Sequence, residues 1–319
     1  MPLESIPLDE IRAARKRLAG AVMRTPLIRL NVDDAPAEIY LKLENLQAIG
    51  SFKLRGAGNA MLTAGQERLA RGVYTASAGN MAQGAAWYAR RMGVACSVVV
   101  PDHAPETKLA AIRRLGASIV KVPFAEWAGI LKTHHYEGLD GLFIHPVSDP
   151  AVMAGNGTIG LEILEDLPDV DTVVIPYGGG GLSCGIASAV RSLTRGIKVF
   201  AAEVETAAPF AASLAAGAPR DITYTPSFVD GIGAPFVLPE MWPLASRLLD
   251  GSLVMTLAEV ASTIRLLAER NRVIAEGAGA TPVAAALAGK AGGGKIVCVV
   301  SGGNIDPGKL AKILAGEIP

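Results

Sequence analysis

The sequence predicts an α/β protein in which twisted, parallel-type sheets are flanked by helices. Short apolar runs rich in β-branched residues alternate with longer segments of helical periodicity along almost the whole chain. This alternation is typical of parallel strands joined by helical crossovers. Half of the 319 residues are hydrophobic, so the chain can bury a large core in one large domain or in two smaller ones.

Seven strands and four helices follow from these patterns. The predicted strands are residues 39–44, 73–77, 96–100, 118–122, 172–176, 198–204 and 295–300. The predicted helices are Met81–Met92, Glu106–Leu115, Leu182–Leu193 and Leu257–Asn271. Because open α/β sheets bind ligands beyond the carboxyl ends of their strands, the glycine-containing turns after these strands are the candidate site.

Composition excludes several classes of function. The 30 basic and 30 acidic side chains give a formal net charge of zero, which argues against a nucleic-acid or anionic-membrane surface. Cys96, Cys184 and Cys298 are too widely spaced for a disulfide framework or a zinc site. The first twenty residues indicate an amphipathic helix rather than a signal peptide, and no apolar run reaches the length of a membrane span. We therefore expect a soluble, cytoplasmic protein.

The strongest single signal is a glycine loop in "TVVIPYGGGGLSCGIASAV" (172–190). A buried strand runs into Gly178, Gly179, Gly180 and Gly181, and an apolar helix begins near Leu182. Backbone without Cβ atoms can approach a ligand closely, and amides at a helix N-terminus can converge on an anion. A flexible loop is the alternative, but the strand before and the helix after favour a phosphate site. The spacing fits neither a Walker loop nor a dinucleotide fingerprint.

Two further strand ends carry weaker signals. In "VYTASAGNMAQG" (73–84) a strand ends at Ser77, and Asn80 with the first helical amides could hold a carboxylate or form a simple helix cap. In "KIVCVVSGGNID" (295–306) Ser301 follows a hydrophobic strand, where its hydroxyl could bond a heteroaromatic nitrogen or close a turn.

A fourth segment, "ENLQAIGSFKLRG" (44–56), places Lys53 directly after Phe52 and at the start of a predicted helix. Lys53 could be a solvated surface lysine or a lysine held to form a Schiff base. The sequence around it decides between the two, because the motifs follow one another in the order of a known family. They are "RTPL" (24–27), "LENLQAIGSFKLRGA" (43–57), "SAGNMAQG" (77–84), "APETKLAAIRRLGA" (104–117), "HPVSDPAVMAGNGTIGLEI" (145–163), the glycine loop, "VDGIG" (229–233), "EGAGA" (276–280) and "SGGN" (301–304).

Together these motifs resemble the fold type II pyridoxal-phosphate enzymes (the tryptophan synthase β-like fold), and within them the serine/threonine dehydratases and serine racemases. The resemblance covers nearly the whole chain. It implies two domains: a large cofactor-binding domain of residues 1–65 and 145–319, and a small domain of residues 66–144 that closes over the substrate. It also implies a homodimer and a small amino-acid substrate.

The resemblance implies a role for each candidate residue. Lys53 would carry pyridoxal 5′-phosphate as a Schiff base and, once freed, would act as the general base. The cofactor would also contact Phe52, Asn80, Gly178, Gly179, Gly180, Gly181, Leu182 and Ser301. The substrate would bind at Ser77, Ala78, Gly79, Asn80 and Met81. A serine at the pyridine nitrogen is a poorer proton donor than a carboxylic acid, which favours elimination over transamination.

Three departures from the family pattern bear on function. Racemases have a second serine at the position of Ala78, so alanine favours the dehydratase reaction over the racemase alternative. Met81 replaces a frequent histidine and would permit an apolar pocket for a bulkier substrate such as phenylserine. The family's metal position corresponds to Glu203, Ala207 and Pro209, and because proline offers no side-chain ligand we expect no metal there.

We therefore predict a lyase that removes water from serine or threonine to give a 2-oxo acid and ammonia. A β-replacement enzyme of the same fold, and a non-catalytic module that binds a phosphate-bearing metabolite, are further alternatives. His103, His134, His135 and His145 show no metal-ligand spacing, and we expect His134 and His135 to face solvent on a helix. The chain ends soon after the SGGN segment, so we expect no appended regulatory domain.

Overall fold

A computed structural model describes residues 3–319 and contains two sheets. The first two residues of the predicted 1–65 segment lie outside this range. Within it the strands are β1 (Leu27–Arg29), β2 (Glu38–Leu43), β3 (Val73–Ala76), β4 (Cys96–Pro101), β5 (Ser118–Val122), β6 (Leu142–Phe143), β7 (Thr172–Pro176), β8 (Lys198–Val204), β9 (Gly251–Met255) and β10 (Lys295–Val300).

The larger sheet has the strand order β1-β2-β10-β7-β8-β9, and the smaller sheet has the order β5-β4-β3-β6. Every pair is parallel except β1 with β2, so the parallel prediction holds apart from one antiparallel edge strand. Neighbouring parallel strands end at the same edge of a sheet. The turns after β7 and β10 therefore lie side by side.

Helices flank both sheets. They are α1 (Leu8–Leu18), α2 (Lys53–Ala64), α3 (Gln66–Leu69), α4 (Asn80–Met92), α5 (Glu106–Arg114), α6 (Phe124–Thr133), α7 (Pro150–Asp166), α8 (Gly181–Leu193), α9 (Pro209–Ala216), α10 (Trp242–Leu248), α11 (Leu257–Leu266), α12 (Gly277–Leu287) and α13 (Pro307–Leu314). Short 3₁₀ turns cover Glu44–Leu46 and Asp230–Ile232, and a π-helical turn, Leu267–Asn271, extends α11.

Local sequence explains where several of these helices begin. Asp149 caps α7 by accepting hydrogen bonds from the amides of Ala151 and Val152, with Pro150 in the first helical position. Thr256 and Glu259 form a reciprocal capping box at the start of α11. In contrast, the N-cap residues of α4 and α8 are Gly79 and Gly180, which offer no side-chain cap. These two helices follow the strand ends that the sequence indicates as binding sites.

Of the ten strands in residues 3–319, the sequence predicted seven and missed β1, β6 and β9. Four predicted strands have the observed bounds. The predicted 73–77 and 96–100 differ from β3 and β4 by one residue at one end, and the predicted 39–44 differs from β2 by one residue at each end. The missed strands β1 and β6 have three and two residues, too few for a period-two pattern. The third missed strand, β9, begins with a glycine and lies at the sheet edge, where it is only partly buried.

Apolar cores fill the space between sheets and helices. The larger sheet has one core on each face, and a third core joins α2 and α4 to the smaller sheet. All strands of the smaller sheet fall within residues 73–143. The predicted domain limits at residues 66 and 145 stay a prediction. Among the helices of residues 3–319, none is long and apolar enough to cross a membrane.

Candidate active site

Lys53 is the first residue of α2 and lies beside the turn that precedes α7. Its Nζ donates a hydrogen bond to the backbone carbonyl of Pro146 over 2.7 Å. Burial lowers the pKa of Lys53 to about 8, against the opposing effect of the Glu276 carboxylate. A solvated surface lysine would keep a pKa above 10. The amine of Lys53 is therefore held in a fixed position and is easily deprotonated near neutral pH.

The segment before Lys53 pairs with the strand end that carries Ser301. The amide of Phe52 donates to the carbonyl of Ser301 over 2.9 Å, and Ser51 forms a β-bridge with Gly302. The Phe52 ring is buried in the larger core, and its centroid is 5.1 Å from the Lys53 Nζ. Ser301 is itself buried. The fold thus joins two of the predicted cofactor residues through backbone hydrogen bonds.

The glycine loop leaves β7 and ends at the first turn of α8. Gly180 has a φ of +94°, a left-handed conformation that side chains rarely adopt, and it precedes a helix without a side-chain cap. The amides of Gly181 and Leu182 belong to the first helical turn, so they have no intrahelical acceptor. These donors and the positive end of the helix dipole form an anion site.

Val147 packs directly against the glycine loop. A Cβ atom on Gly179 would lie 2.6 Å from the Val147 side chain, and a Cβ on Gly181 would overlap the Val147 carbonyl oxygen. Val147 follows Pro146, whose carbonyl accepts the Lys53 hydrogen bond. The glycine loop and Lys53 therefore contact consecutive residues of one turn.

The loop after β3 brings the predicted substrate residues to the N-terminus of α4. The Ser77 hydroxyl accepts a hydrogen bond from the Gly79 amide over 3.2 Å, and the Ser77 amide bonds to Val99. The amides of Asn80 and Met81 remain as first-turn donors. A Cβ atom on Gly79 would meet nothing within 4 Å, so the space in front of this loop is open. Ala78 precedes Gly79, and its methyl group is partly buried against the core of the smaller sheet.

Met81 corrects one interpretation of the sequence. Its side chain is 1% exposed and packs in the core of the smaller sheet with residues such as Leu54 and Ile49. The side chain therefore does not line the open space before Gly79, and it gives no support to an apolar pocket for phenylserine. The methionine fills the core, where an unbranched side chain fits irregular gaps.

Asn80 is held on both ends of its amide group. Its Nδ2 donates to Glu276 Oε1 over 2.8 Å, and its Oδ1 accepts from the Asn304 amide over 2.7 Å. Burial raises the pKa of Glu276 to about 7, with Asp230 acting in the same direction and the Asn80 hydrogen bond opposing it. Because both ends of the amide have partners, the orientation of Asn80 is fixed.

Glu276, Asn304 and Pro146 are site residues to which sequence reasoning gave no role. Glu276 and Asn304 lie in the quoted motifs "EGAGA" and "SGGN", so their motifs were visible but their contacts were not. Pro146 acts through a backbone carbonyl, which any residue has. Pro146 also lies in a quoted motif, the one that covers 145–163, but its contact with Lys53 could not be read from the sequence.

Both carboxylate oxygens of Glu203 have hydrogen-bond partners within the chain. Its carboxylate accepts hydrogen bonds from the amides of Phe210 and Ala211 at the start of α9, over 2.9 and 2.8 Å, and from the Ser252 hydroxyl. Burial raises the pKa of Glu203 to about 6. Within residues 3–319 no group of three or more His, Cys, Asp or Glu side chains could hold a metal ion.

Comparison with known proteins identifies the family. The family described as "Pyridoxal-phosphate dependent enzyme" matches residues 18–302. The chain belongs to this family. The L-threonine ammonia-lyase of Thermotoga maritima is 39% identical over 315 residues, which cover 97% of this chain and 78% of that protein. The catabolic L-threonine dehydratase TdcB of Escherichia coli K12 is 37% identical, with 97% and 96% covered.

Solved structures of pyridoxal-phosphate enzymes share the fold. The structure of maize serine racemase superposes on this enzyme with a TM-score of 0.89 and 30% identity, covering 98% of each chain. The processed form of threonine deaminase isoform 2 from Solanum lycopersicum has a TM-score of 0.85 and 32% identity, covering 99% of this chain and 97% of that one. These structures confirm the fold type II prediction.

The residues of this pyridoxal-phosphate enzyme fit the cofactor. A phosphate dianion needs donors that no side chain obstructs, and the glycine loop with the uncapped first turn of α8 offers them. An aldehyde needs an amine that deprotonates near neutral pH, and the pKa of Lys53 is about 8. A pyridine nitrogen needs a polar partner at a strand end near that lysine, and Ser301 lies there.

Proposed function

We propose that this enzyme is a dehydratase that removes water from threonine or serine and releases a 2-oxo acid and ammonia. The observation that carries the proposal is the placement of the Lys53 amine. The amine is hydrogen-bonded to the Pro146 carbonyl and has a pKa of about 8. Residues close to it in space lead to the N-termini of α4 and α8, which have no side-chain caps. Such an arrangement can hold a phosphate, a carboxylate and a reactive amine together.

Lys53 is the residue that does the chemistry in this proposal. When bound, pyridoxal phosphate withdraws electrons from the amino acid's α-carbon, so that the α-proton becomes acidic. The freed Lys53 amine accepts that proton as the general base. Lys53 needs to be neutral for this step, and its lowered pKa gives a larger neutral fraction near neutral pH than an ordinary lysine has.

The remaining residues bind and orient. The amides of Gly178–Gly181 and Leu182 would hold the phosphate group, and the Ser301 hydroxyl would serve the ring nitrogen. Asn80, whose orientation is fixed by Glu276 and Asn304, would bond the ring's 3′-oxygen. The 77–81 loop holds the substrate carboxylate, with the first-turn amides of α4 as donors. Loss of the β-hydroxyl as water leaves an enamine product, which becomes an imine and hydrolyses to the oxo acid and ammonia.

Racemisation is the second candidate, because the maize serine racemase structure is so similar. A racemase needs a proton donor on the face of the substrate opposite Lys53. Ala78 lies in the loop where racemases of this family carry a serine, and an alanine methyl group cannot transfer a proton. The dehydratase is therefore the favoured function.

The assembly and movement of the enzyme are part of the proposal. The smaller sheet with its helices, residues 66–144, closes over the substrate and excludes water from the reaction. The enzyme works as a homodimer in the cytoplasm. Gel filtration with light scattering tests the homodimer, and a hinge motion would appear as a difference in scattering profile with and without substrate.

A product assay tests the proposed reaction. The purified, cofactor-loaded enzyme is given L- and D-serine, L- and D-threonine and phenylserine, and the 2-oxo acid, ammonia and enantiomer of the residual substrate are measured. We expect oxo acid and ammonia in equal amounts from L-threonine or L-serine, with no inversion of the remainder. Inversion as the main outcome would establish a racemase instead, and no reaction would point to β-replacement with an added nucleophile.

A further inference from the structure

His145 is a buried histidine that no step of the proposed reaction uses. It follows β6 and is 2% exposed. Its Nδ1 accepts hydrogen bonds from the amides of Val147 and Ser148, over 3.1 and 2.8 Å, and contacts the Ser148 hydroxyl at 3.0 Å. Its Nε2 lies 3.0 Å from the carbonyl oxygen of Leu131 in α6.

These partners fix the protonation state of the ring. An imidazole nitrogen that accepts two amide hydrogen bonds cannot carry a proton, so Nδ1 is bare. The carbonyl of Leu131 can only accept, so the proton is on Nε2. Burial also lowers the pKa of His145 to about 4, which keeps the ring neutral. His145 is thus a neutral residue that clamps the turn: its Nδ1 accepts hydrogen bonds from the turn amides, and its Nε2 donates a hydrogen bond to α6.

The turn that His145 clamps, residues 145–148, contacts both halves of the site. The Pro146 carbonyl accepts the hydrogen bond of Lys53 Nζ, and Val147 packs against Gly179 and Gly181. The two clamped amides belong to the residues directly after Pro146. A change in the turn would therefore displace two groups together: the carbonyl that accepts the Lys53 hydrogen bond, and the Val147 side chain that packs against the glycine loop.

His134 extends the same contact from α6. This residue ends α6 in a left-handed conformation, with a φ of 59°, and its ring stacks on that of His145 at a centroid distance of 4.3 Å. His134 and His135 are both exposed, as expected from the sequence, but the expectation that they lie on a helix is wrong: α6 ends at Thr133, His134 is its C-cap residue, and His135 lies in the loop that follows. The His134 Nε2 also lies 3.4 Å from the Ser148 hydroxyl. Three contacts, two polar and one stacked, therefore join α6 and its C-cap residue to the clamped turn.

We propose that His145 is a positioning residue, which sets the place of the Pro146 carbonyl and of Val147 and so aligns the Lys53 amine with the glycine loop. The proposal rests on the proposed function, since Lys53 and the glycine loop are the groups that it aligns. The acceptor at Nδ1 is the essential part, because it holds the turn directly. The Nε2 bond to α6 is secondary.

Two amide substitutions separate the roles of the two nitrogens. The side-chain oxygen of an asparagine can take the place of Nδ1, so His145→Asn keeps an acceptor for the turn amides and loses the Leu131 bond. The nitrogen of a glutamine reaches the place of Nε2, so His145→Gln keeps the donor and displaces the acceptor. His145→Leu removes both. His135→Asn, on an exposed histidine of the same segment, is the matched control.

Two measurements are made on each variant. The first is kcat and KM with L-threonine on the cofactor-loaded enzyme. The second is the affinity of the apoprotein for pyridoxal phosphate, followed by the absorbance band of the lysine Schiff base, which reports on alignment without any turnover. Thermal melting of each variant identifies loss of fold.

We expect His145→Leu and His145→Gln to lower kcat by about 100-fold, since a displacement of about 1 Å in a reacting group costs that much. The same two variants bind the cofactor more weakly, whereas His145→Asn stays within about tenfold of wild type in kcat. The control keeps wild-type values. A folded His145→Gln with wild-type kcat and cofactor affinity would overturn the proposal, as would equal losses in His145→Asn and His145→Gln. If the wild type turns over none of the substrates, the proposed function fails, and the cofactor titration still decides the role of His145.

Discussion

The amide of Phe52 donates a hydrogen bond to the carbonyl of Ser301 over 2.9 Å. Phe52 immediately precedes Lys53, and Ser301 immediately follows β10, so this bond joins the start of α2 to a strand end of the larger sheet. The Gly303 amide adds a second bond, to the Gly50 carbonyl over 2.9 Å. Residues that are far apart in the sequence are therefore held together in the site by backbone hydrogen bonds.

Lys53→Ala should abolish turnover and leave the fold intact. The alanine variant has neither the Schiff-base nitrogen nor the general base, and loss of a general base alone lowers a rate by about 10²–10⁴-fold. Oxo-acid formation from L-threonine measures the effect, and circular dichroism checks the fold. Lys16→Ala, at an exposed lysine of α1, serves as the control. Wild-type activity in Lys53→Ala would exclude the mechanism.

Formation of the Schiff base by the apoprotein should depend on pH with an inflection near 8, the pKa of Lys53. Only the neutral amine attacks an aldehyde, so the rate should rise by about tenfold per unit below the pKa and level off above it. Stopped-flow absorbance between about pH 6 and pH 10 measures this profile. An inflection above about pH 10 would mean that Lys53 is solvated like an ordinary lysine.

Glu276→Gln should move that inflection to lower pH. The Glu276 carboxylate raises the pKa of Lys53 against the effect of burial, so a neutral amide in its place removes the opposing charge. The glutamine oxygen can still accept the Asn80 hydrogen bond, so the orientation of Asn80 is kept. An unchanged or raised inflection in the same stopped-flow experiment would contradict a direct electrostatic effect of Glu276 on Lys53.

Ala78→Ser should add racemisation to elimination. The substitution places a hydroxyl, which can carry a proton, in the loop before α4 where space is open next to Gly79. Chiral chromatography of residual L-serine measures the D-enantiomer beside the oxo acid. Ala78→Val, which adds bulk without a proton, distinguishes the hydroxyl from a simple change of shape. The complete absence of D-serine would show that this position does not reach the α-carbon.

Removal of divalent cations should leave activity unchanged. Glu203 is bonded to two amides of α9 and to the Ser252 hydroxyl, and Pro209 offers no ligand at the position where the family has an acidic residue. Dialysis against a chelator, followed by the product assay with and without added Mg²⁺ or Ca²⁺, measures the dependence. A loss of activity that Mg²⁺ restores would contradict this prediction and would indicate a metal ion bound elsewhere than at the hydrogen-bonded Glu203 carboxylate.

Much of the architecture could be predicted from the sequence because the long strands are self-evident. β5, β7, β8 and β10 have the predicted bounds. β7 and β10 are the clearest cases, because their continuous apolar, β-branched runs are typical of strands buried on both faces of a parallel sheet. The short β1 and β6 could not be found this way. These two strands form because neighbouring strands offer hydrogen-bond partners. A segment of two or three residues is too short to show a pattern that would indicate such a partner.

The candidate site shows the same division. The glycine loop and Lys53 were identified from residue types in order, since lost Cβ atoms and an amine are chemical properties of the residues themselves. The Met81 side chain was misread, because its burial depends on Leu54 and Ile49, which come from other parts of the chain. The role of Glu276 was not visible for a similar reason, because its pKa of about 7 arises from burial and from Asp230.

By itself the sequence determined which groups this protein has: a lysine after a phenylalanine, four glycines at a strand end, and an alanine where racemases have a serine. Only the tertiary structure decided which backbone atoms those groups meet. Lys53 donates to Pro146, Val147 closes the glycine loop, and His145 holds the turn that joins them. Carbonyls and amides are the same in every residue, so their partners depend on how the chain is folded and not on which side chains it carries.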